Sequence, residues 1–257
     1  MSKTPPKEEH PMVSIMLNVV IPVIILTQLS KRDILSPVWV LVCALILPIG
    51  YGLHTLIKQH RADFISIIGI ISVLLTGVFG ILKLPPLWFA CKEAAIPLII
   101  GLTIIISLKT PWPLIKKILM SEKIFNVGLL HEKLREKGNE AKFEKRLVGL
   151  TWGLASSFFL SSALNYFLAI AIVKTDPGID MQAYNIEIGK MTGLSYIVVM
   201  LPSMAVMILV LIALIKTLTH LTELKMDDLL AEHLQEEAKN VETSESQKVE
   251  GREPELP

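Results

Sequence analysis

Residues 87–108 read LWFACKEAAIPLIIGLTIIISL, and this stretch decides the fold. Its 22 residues hold one charged pair, Lys92 and Glu93, and are otherwise uncharged. About 20 such residues, wound as a helix at roughly 1.5 Å per residue, cross a hydrocarbon core of about 30 Å. Five further stretches, 12–30, 38–57, 64–82, 148–173 and 191–215, are equally long and contain no Asp, Glu, Lys or Arg. The six together hold 131 of the 257 residues but only 2 of the 49 charged ones. The averages, 52% hydrophobic and 19% charged with a net charge of +1, conceal that segregation. A soluble core does not sort charge this way, so an ordinary soluble domain, a nucleic-acid-binding module and a disordered chain are excluded. A membrane β-barrel would alternate apolar and polar residues over strands of about ten and is disfavoured.

The expected architecture is therefore all-α: a polytopic membrane bundle of six transmembrane helices over residues 12–215. A tail, 1–11, precedes it. A basic loop, 109–147, joins spans four and five. An amphipathic helix is expected over 216–238, followed by a disordered Glu-, Ser- and Lys-rich tail over 239–257. The N-terminal tail lacks a strongly basic region and no small-residue cleavage site follows span one, so that span is expected to be retained.

Orientation follows from Lys and Arg. Six spans gather 19 of the 25 basic residues on the side of both termini and of the 109–147 loop, against five on the other. That places both termini in the cytoplasm. Trp39 and Trp88 open spans two and four on the outer side, and Trp112 and Trp152 flank spans four and five on the inner side. Indole rings prefer these interfaces.

The loops carry local signals. Pro111 and Pro113 stop span four. Leu114, Ile115, Ile118 and Leu119 then share a face opposite Lys116 and Lys117, as in a helix lying in the inner interface or packed on its own loop. Leu130–Lys137 reads as a charged helix ending at Gly138, and Asn139 as the cap of a helix running into span five. Asp176-Pro177-Gly178 is a turn, and Asp180 a cap leading into span six.

Polar residues inside the spans are the candidates for function, since each ionisable group there costs about 2.5–3.5 kcal/mol on insertion scales. Glu93 lies six residues into its span. It is either a proton- or cation-binding carboxylate or a hydrogen-bonded packing residue, while Lys92 can snorkel outward. Pro97 follows Glu93 by four residues, as Pro22 follows Asn18 in span one, and both prolines sit in an Ile-Pro-x-Ile-Ile core. An inverted three-plus-three repeat would leave such a trace; two proline-kinked helices would leave it too. In span five Gly149, Gly153, Ser157, Ser161 and Asn165 recur every four residues. That ridge lets another helix approach closely, with span three as its expected partner and Asn165 bonding across. Nothing pairs a nucleophile with a base, no Walker loop or HExxH occurs, and Cys43 and Cys91 form no metal-binding cluster, so no enzyme and no cofactor are implied.

Four stretches resemble a bacterial family of six-span membrane proteins that is distantly similar to the intracellular septation protein A group. They are Lys92-Glu93-Ala94-Ala95-Ile96-Pro97-Leu98, Asn139-Glu140 to Trp152, Ser157-Phe158-Phe159-Leu160-Ser161 to Asn165, and Gly189-Lys190-Met191-Thr192 to Met204. The resemblance covers about residues 14–230. It implies a role in envelope integrity and cell division without enzymatic activity, and carries over no catalytic residue. Two functions follow as expectations. One is a non-enzymatic envelope protein contacting the bilayer, other inner-membrane proteins or itself, and no nucleic acid. The other is a small ion or solute carrier with Glu93, Lys92, Asn18 and Asn165 lining a polar cavity.

Overall fold

A computed structural model describes residues 16–32, 34–59, 64–110, 116, 121 and 125–230, the side chains of 55–69 excepted. The tail 1–11, the interfacial helix expected around 114–119, Trp112 and the tail 239–257 lie outside the described residues. Among the described residues every regular element is helical, apart from an isolated antiparallel bridge between Phe125 and Leu230.

Helix α1 spans residues 16–29, with π-helical turns at Met16–Val20 and Ile25–Leu29 on either side of an α-turn at Ile21–Ile24. It is followed by α2 (Pro37–Gln59), α3 (Phe64–Ile81), α4 (Pro86–Ser107) and α5 (Val127–Glu136). Then come α6 (Glu140–Ile172), α7 (Met181–Thr222) and a single turn, α8 (Met226–Leu229). α7 has one π-helical turn, at Tyr196–Met200. Among the described residues four helices are long and apolar enough to cross a membrane: Pro37–His54, Pro86–Ser107, Glu140–Ile172 and Met181–Thr222. Their outward faces are apolar, with Trp39, Ile46, Trp88, Phe167 and Leu209 all exposed. Such surface is costly in water and favourable in lipid.

The contacts fall into two compact units. The first runs from the start of the described chain to Gly101 and adds Ser157–Ala205. α2 packs along α3, and α7 packs against α1 and α2. Its core gathers Leu26, Leu41, Ala44, Phe89, Ala169, Tyr184, Ile188 and Met191. The second unit comprises Leu102–Ser156 and the described residues from Val206. Helical periodicity builds its core. Phe143, Leu147 and Leu150 of α6 lie on one face, Leu214, Leu218 and Leu221 of α7 on another, and Leu130 and Leu134 of α5 close the cluster.

Turn chemistry behaves as the sequence indicates. Gly138, at φ 62°, ends α5. The Gly138 amide bonds the Arg135 carbonyl and the Asn139 amide the Leu134 carbonyl, the double closure of a Schellman end. The Asp176 carboxylate accepts from the Gly178 amide at 2.7 Å, and Asp180 caps α7 by accepting from the Ala183 amide at 2.9 Å. On α5 the half-buried Lys133 and the exposed Glu136 form an ion pair at 2.6 Å. Their mutual hydrogen bond raises the Lys133 ammonium pKa and lowers that of the Glu136 carboxyl.

Two expectations need correction. The helix expected over 216–238 is cut short: α7 stops at Thr222, Glu223 turns to φ 59°, and Leu230 is extended. Its first leucines, Leu218 and Leu221, serve instead as core of the second unit. Gly149 is not a packing residue: a Cβ built there meets nothing within 4 Å. The ridge closes one turn later, where a Cβ on Gly153 would lie 2.9 Å from Val210 Cγ2 of α7. Gly138 and Gly149 therefore respond in opposite directions to alanine. Gly138→Ala lowers stability by about 1 kcal/mol because φ is positive, and Gly149→Ala raises it by about 1 kcal/mol through helix propensity. Reversible unfolding in detergent measures both; equal signs would contradict this geometry.

Candidate functional site

The sole ionic pair of the apolar stretches lies inside the first unit. Lys92 is on α4, one turn after Phe89. It does not snorkel; its side chain is 4% exposed. Its Nζ sits 2.5 Å from Glu93 Oε1, donates to Thr76 Oγ1 of α3 at 2.7 Å, and lies 3.5 Å from both the Ser72 carbonyl and Ser72 Oγ. It also stands 4.9 Å from the centroid of the Phe89 ring. An ammonium has three protons, and this arrangement offers oxygen to each and an aromatic face beside them. The Glu93 side chain remains 24% exposed. Thr76 in turn donates to the Ser72 carbonyl at 3.1 Å, one turn back along α3.

Around the pair the wall is tightly built. Phe89 meets Tyr184 of α7 edge-on at 6.4 Å, and Tyr184 is within electrostatic reach of Glu93. A Cβ on Gly80 would lie 2.5 Å from Leu41 of α2 and 3.7 Å from Tyr184. The small-residue stripe of α3 thus faces α4 through Ser72 and Thr76, and α2 and α7 through Gly80. The α6 ridge itself meets Val210 of α7 at Gly153, and α6 meets α4 beside the ridge, where Gly101 approaches Phe158 and Phe159 and Ser162 Oγ donates to the Ala94 carbonyl at 2.8 Å.

The other candidates are placed elsewhere. Asn165 does not bond across; its amide donates to the Ser161 carbonyl at 3.0 Å on its own helix. Ser157 is buried in α6. Asn18 is half-buried on α1, whose first turn packs against α2 and α7. The Pro22 and Pro97 segments also differ locally. Pro22 lies between π-helical turns, whereas Pro97 lies within the regular helix α4. Cys43 and Cys91 are free. Among the described residues no group of His, Cys, Asp and Glu is arranged to hold a metal ion.

Sequence reading missed three polar contacts that tie the start of α7. Gln182 donates to the Ser30 carbonyl. The fully buried Asn185 donates to the Pro37 carbonyl at 2.7 Å. The Glu187 carboxylate accepts from the amides of Lys174 and Thr175 and from the Thr175 hydroxyl. These residues lower the local hydropathy, so the stretch reads as loop; the targets of Gln182 and Asn185 are backbone carbonyls far away in sequence. The Asp180 cap was the visible signal.

No known protein family, curated protein or solved structure matches the chain.

Breaking the pair and removing it have different consequences. Lys92→Met leaves Glu93 uncompensated and costs about 3–5 kcal/mol, whereas Lys92→Met with Glu93→Leu recovers most of that loss. Unfolding of both variants in the same detergent checks this. A single variant as stable as the parent would contradict the ion pair.

Proposed function

We propose that the chain is a six-span protein of the bacterial inner membrane, with both termini cytoplasmic, acting without catalysis in envelope maintenance or septation. α1 and α3 would complete the four long helices to six. The distribution of Lys and Arg supports the orientation, as does the exposure of Trp39, Trp88 and Trp152 near the ends of apolar stretches. The observation that carries the non-transport reading is the use of the intramembrane charges. Lys92 neutralises Glu93 and is itself bound by α3, while Asn165 is taken up by its own helix. A carrier site needs a carboxylate that gains and loses its partner; here that partner is fixed within the wall of the bundle. The resemblance to the septation group agrees with such a role.

Two measurements test this reading. In a chain with Cys43 and Cys91 replaced by alanine, cysteines introduced at Thr110 and Lys174 label from opposite sides of the membrane, Thr110 from the cytoplasm. Labelling from one side would overturn the topology. Vesicles holding the protein keep a pH gradient as long as empty ones do. Faster loss that Glu93→Gln abolishes would establish the carrier and sink the envelope reading.

A further inference from the structure

The face of α6 beside the second unit's core carries Lys142, Lys145, Arg146 and Gly149, spaced by three, four and seven residues and so aligned on one side of the helix. α7 presents Ala213, Lys216 and His220 with the same periodicity. Between them lies a groove of about 1030 Å³, floored by Gly149 and Leu150. Small residues open it: Gly149 has no atom within 4 Å of a built Cβ, and the helices close again at Gly153 against Val210. Asn139 ties its two walls by donating to the Leu221 carbonyl at 2.9 Å.

Charge in this groove is unbalanced. The acids beside it already have partners. Glu223 pairs with Lys137, and Glu144 pairs with Lys116 at 2.5 Å. Among the described residues Lys142, Lys145, Arg146 and Lys216 have no ion pair. The basic end of the groove passes directly into apolar surface, with Val148, Trp152, Leu209 and Ile212 all exposed. Trp152 sits two turns beyond Lys145 and marks the level of a membrane interface.

We infer that this groove binds the headgroup of an anionic phospholipid, its phosphate held by Lys145, Arg146 and Lys216 and its chains lying along the apolar flank. A soluble anion would satisfy the charges but not the continuous apolar border. Basic pockets between membrane helices on the cytoplasmic side bind anionic headgroups in this manner. The inference rests on the membrane reading above.

The test uses the full-length protein purified in a neutral detergent and offered equal amounts of phosphatidylglycerol and phosphatidylcholine, with retained lipid counted by native mass spectrometry. Phosphatidylglycerol should be preferred several-fold. Lys145→Gln with Arg146→Gln should abolish that preference, since each cation beside an anionic headgroup is worth roughly fivefold in affinity. Gly149→Leu, which fills the groove while keeping every charge, should reduce it as well. Lys133→Gln, on α5 outside the groove, should leave it intact. Equal retention of the two lipids, or a preference untouched by the groove variants, would overturn the site. Release of the lipid by millimolar inorganic phosphate would assign the groove to a soluble anion and overturn the lipid. Because retention is read in detergent, it does not depend on which side of the membrane the groove faces. A wrong topology would show only in the Thr110 and Lys174 labelling.

Discussion

Inside a bilayer a polar group has no water to turn to, so each one must be satisfied by the protein or remain a heavy cost. Lys92 meets that constraint in full. Its ammonium is enclosed by Glu93, Thr76, Ser72 and the Phe89 ring. The same interaction fastens α4 to α3, and through Phe89 and Tyr184 it connects α4 with α7. Other polar groups of the first unit meet it in part: among the described residues the Tyr184 hydroxyl and Asn185 Oδ1 are buried without a partner, while further side chains supply donors to backbone carbonyls. Ser162 supplies a donor to the Ala94 carbonyl, three residues before Pro97. Asn185, buried at the start of α7, supplies one to Pro37. Polar side chains here work mainly as clasps between helix backbones.

The second unit obeys a different balance. It has an amphipathic core of the kind found in water-soluble helical proteins, with Phe143, Leu147 and Leu218 inside and lysines outside. Exposed ion pairs such as Lys133 with Glu136 add little stability. Unpaired cations carry more meaning than paired ones, and they concentrate along one groove. The net charge of +1 hides both facts, because the acids that cancel the basic loop lie largely beyond residue 215.

Helix existence was legible because it depends on local pattern: apolar length, caps such as Asp180, and the left-handed Gly138. Glu93 and Lys92 were legible as a site because charge is rare in such stretches. Which helix each ridge meets was not legible. Small residues every four positions mark a close approach without naming the partner. Ser72 and Thr76 proved to face Lys92, while Gly153 of the α6 ridge met Val210 of α7. Gly149 followed the same spacing as Gly153 yet opens a groove, since the sequence period continues past the point where the two helices separate. The lower part of α7 was hidden for the opposite reason. Gln182 and Asn185 look like loop residues until their distant backbone partners, Ser30 and Pro37, are known.

The central claim, that Lys92 is held by α3 and is structural, is tested most directly by a double-mutant cycle between Lys92→Met and Thr76→Val. Unfolding free energies of the four proteins should give a coupling of roughly 0.5–3 kcal/mol, as contacting partners in one network do. Strictly additive effects would mean that Lys92 does not depend on Thr76, and would contradict the account.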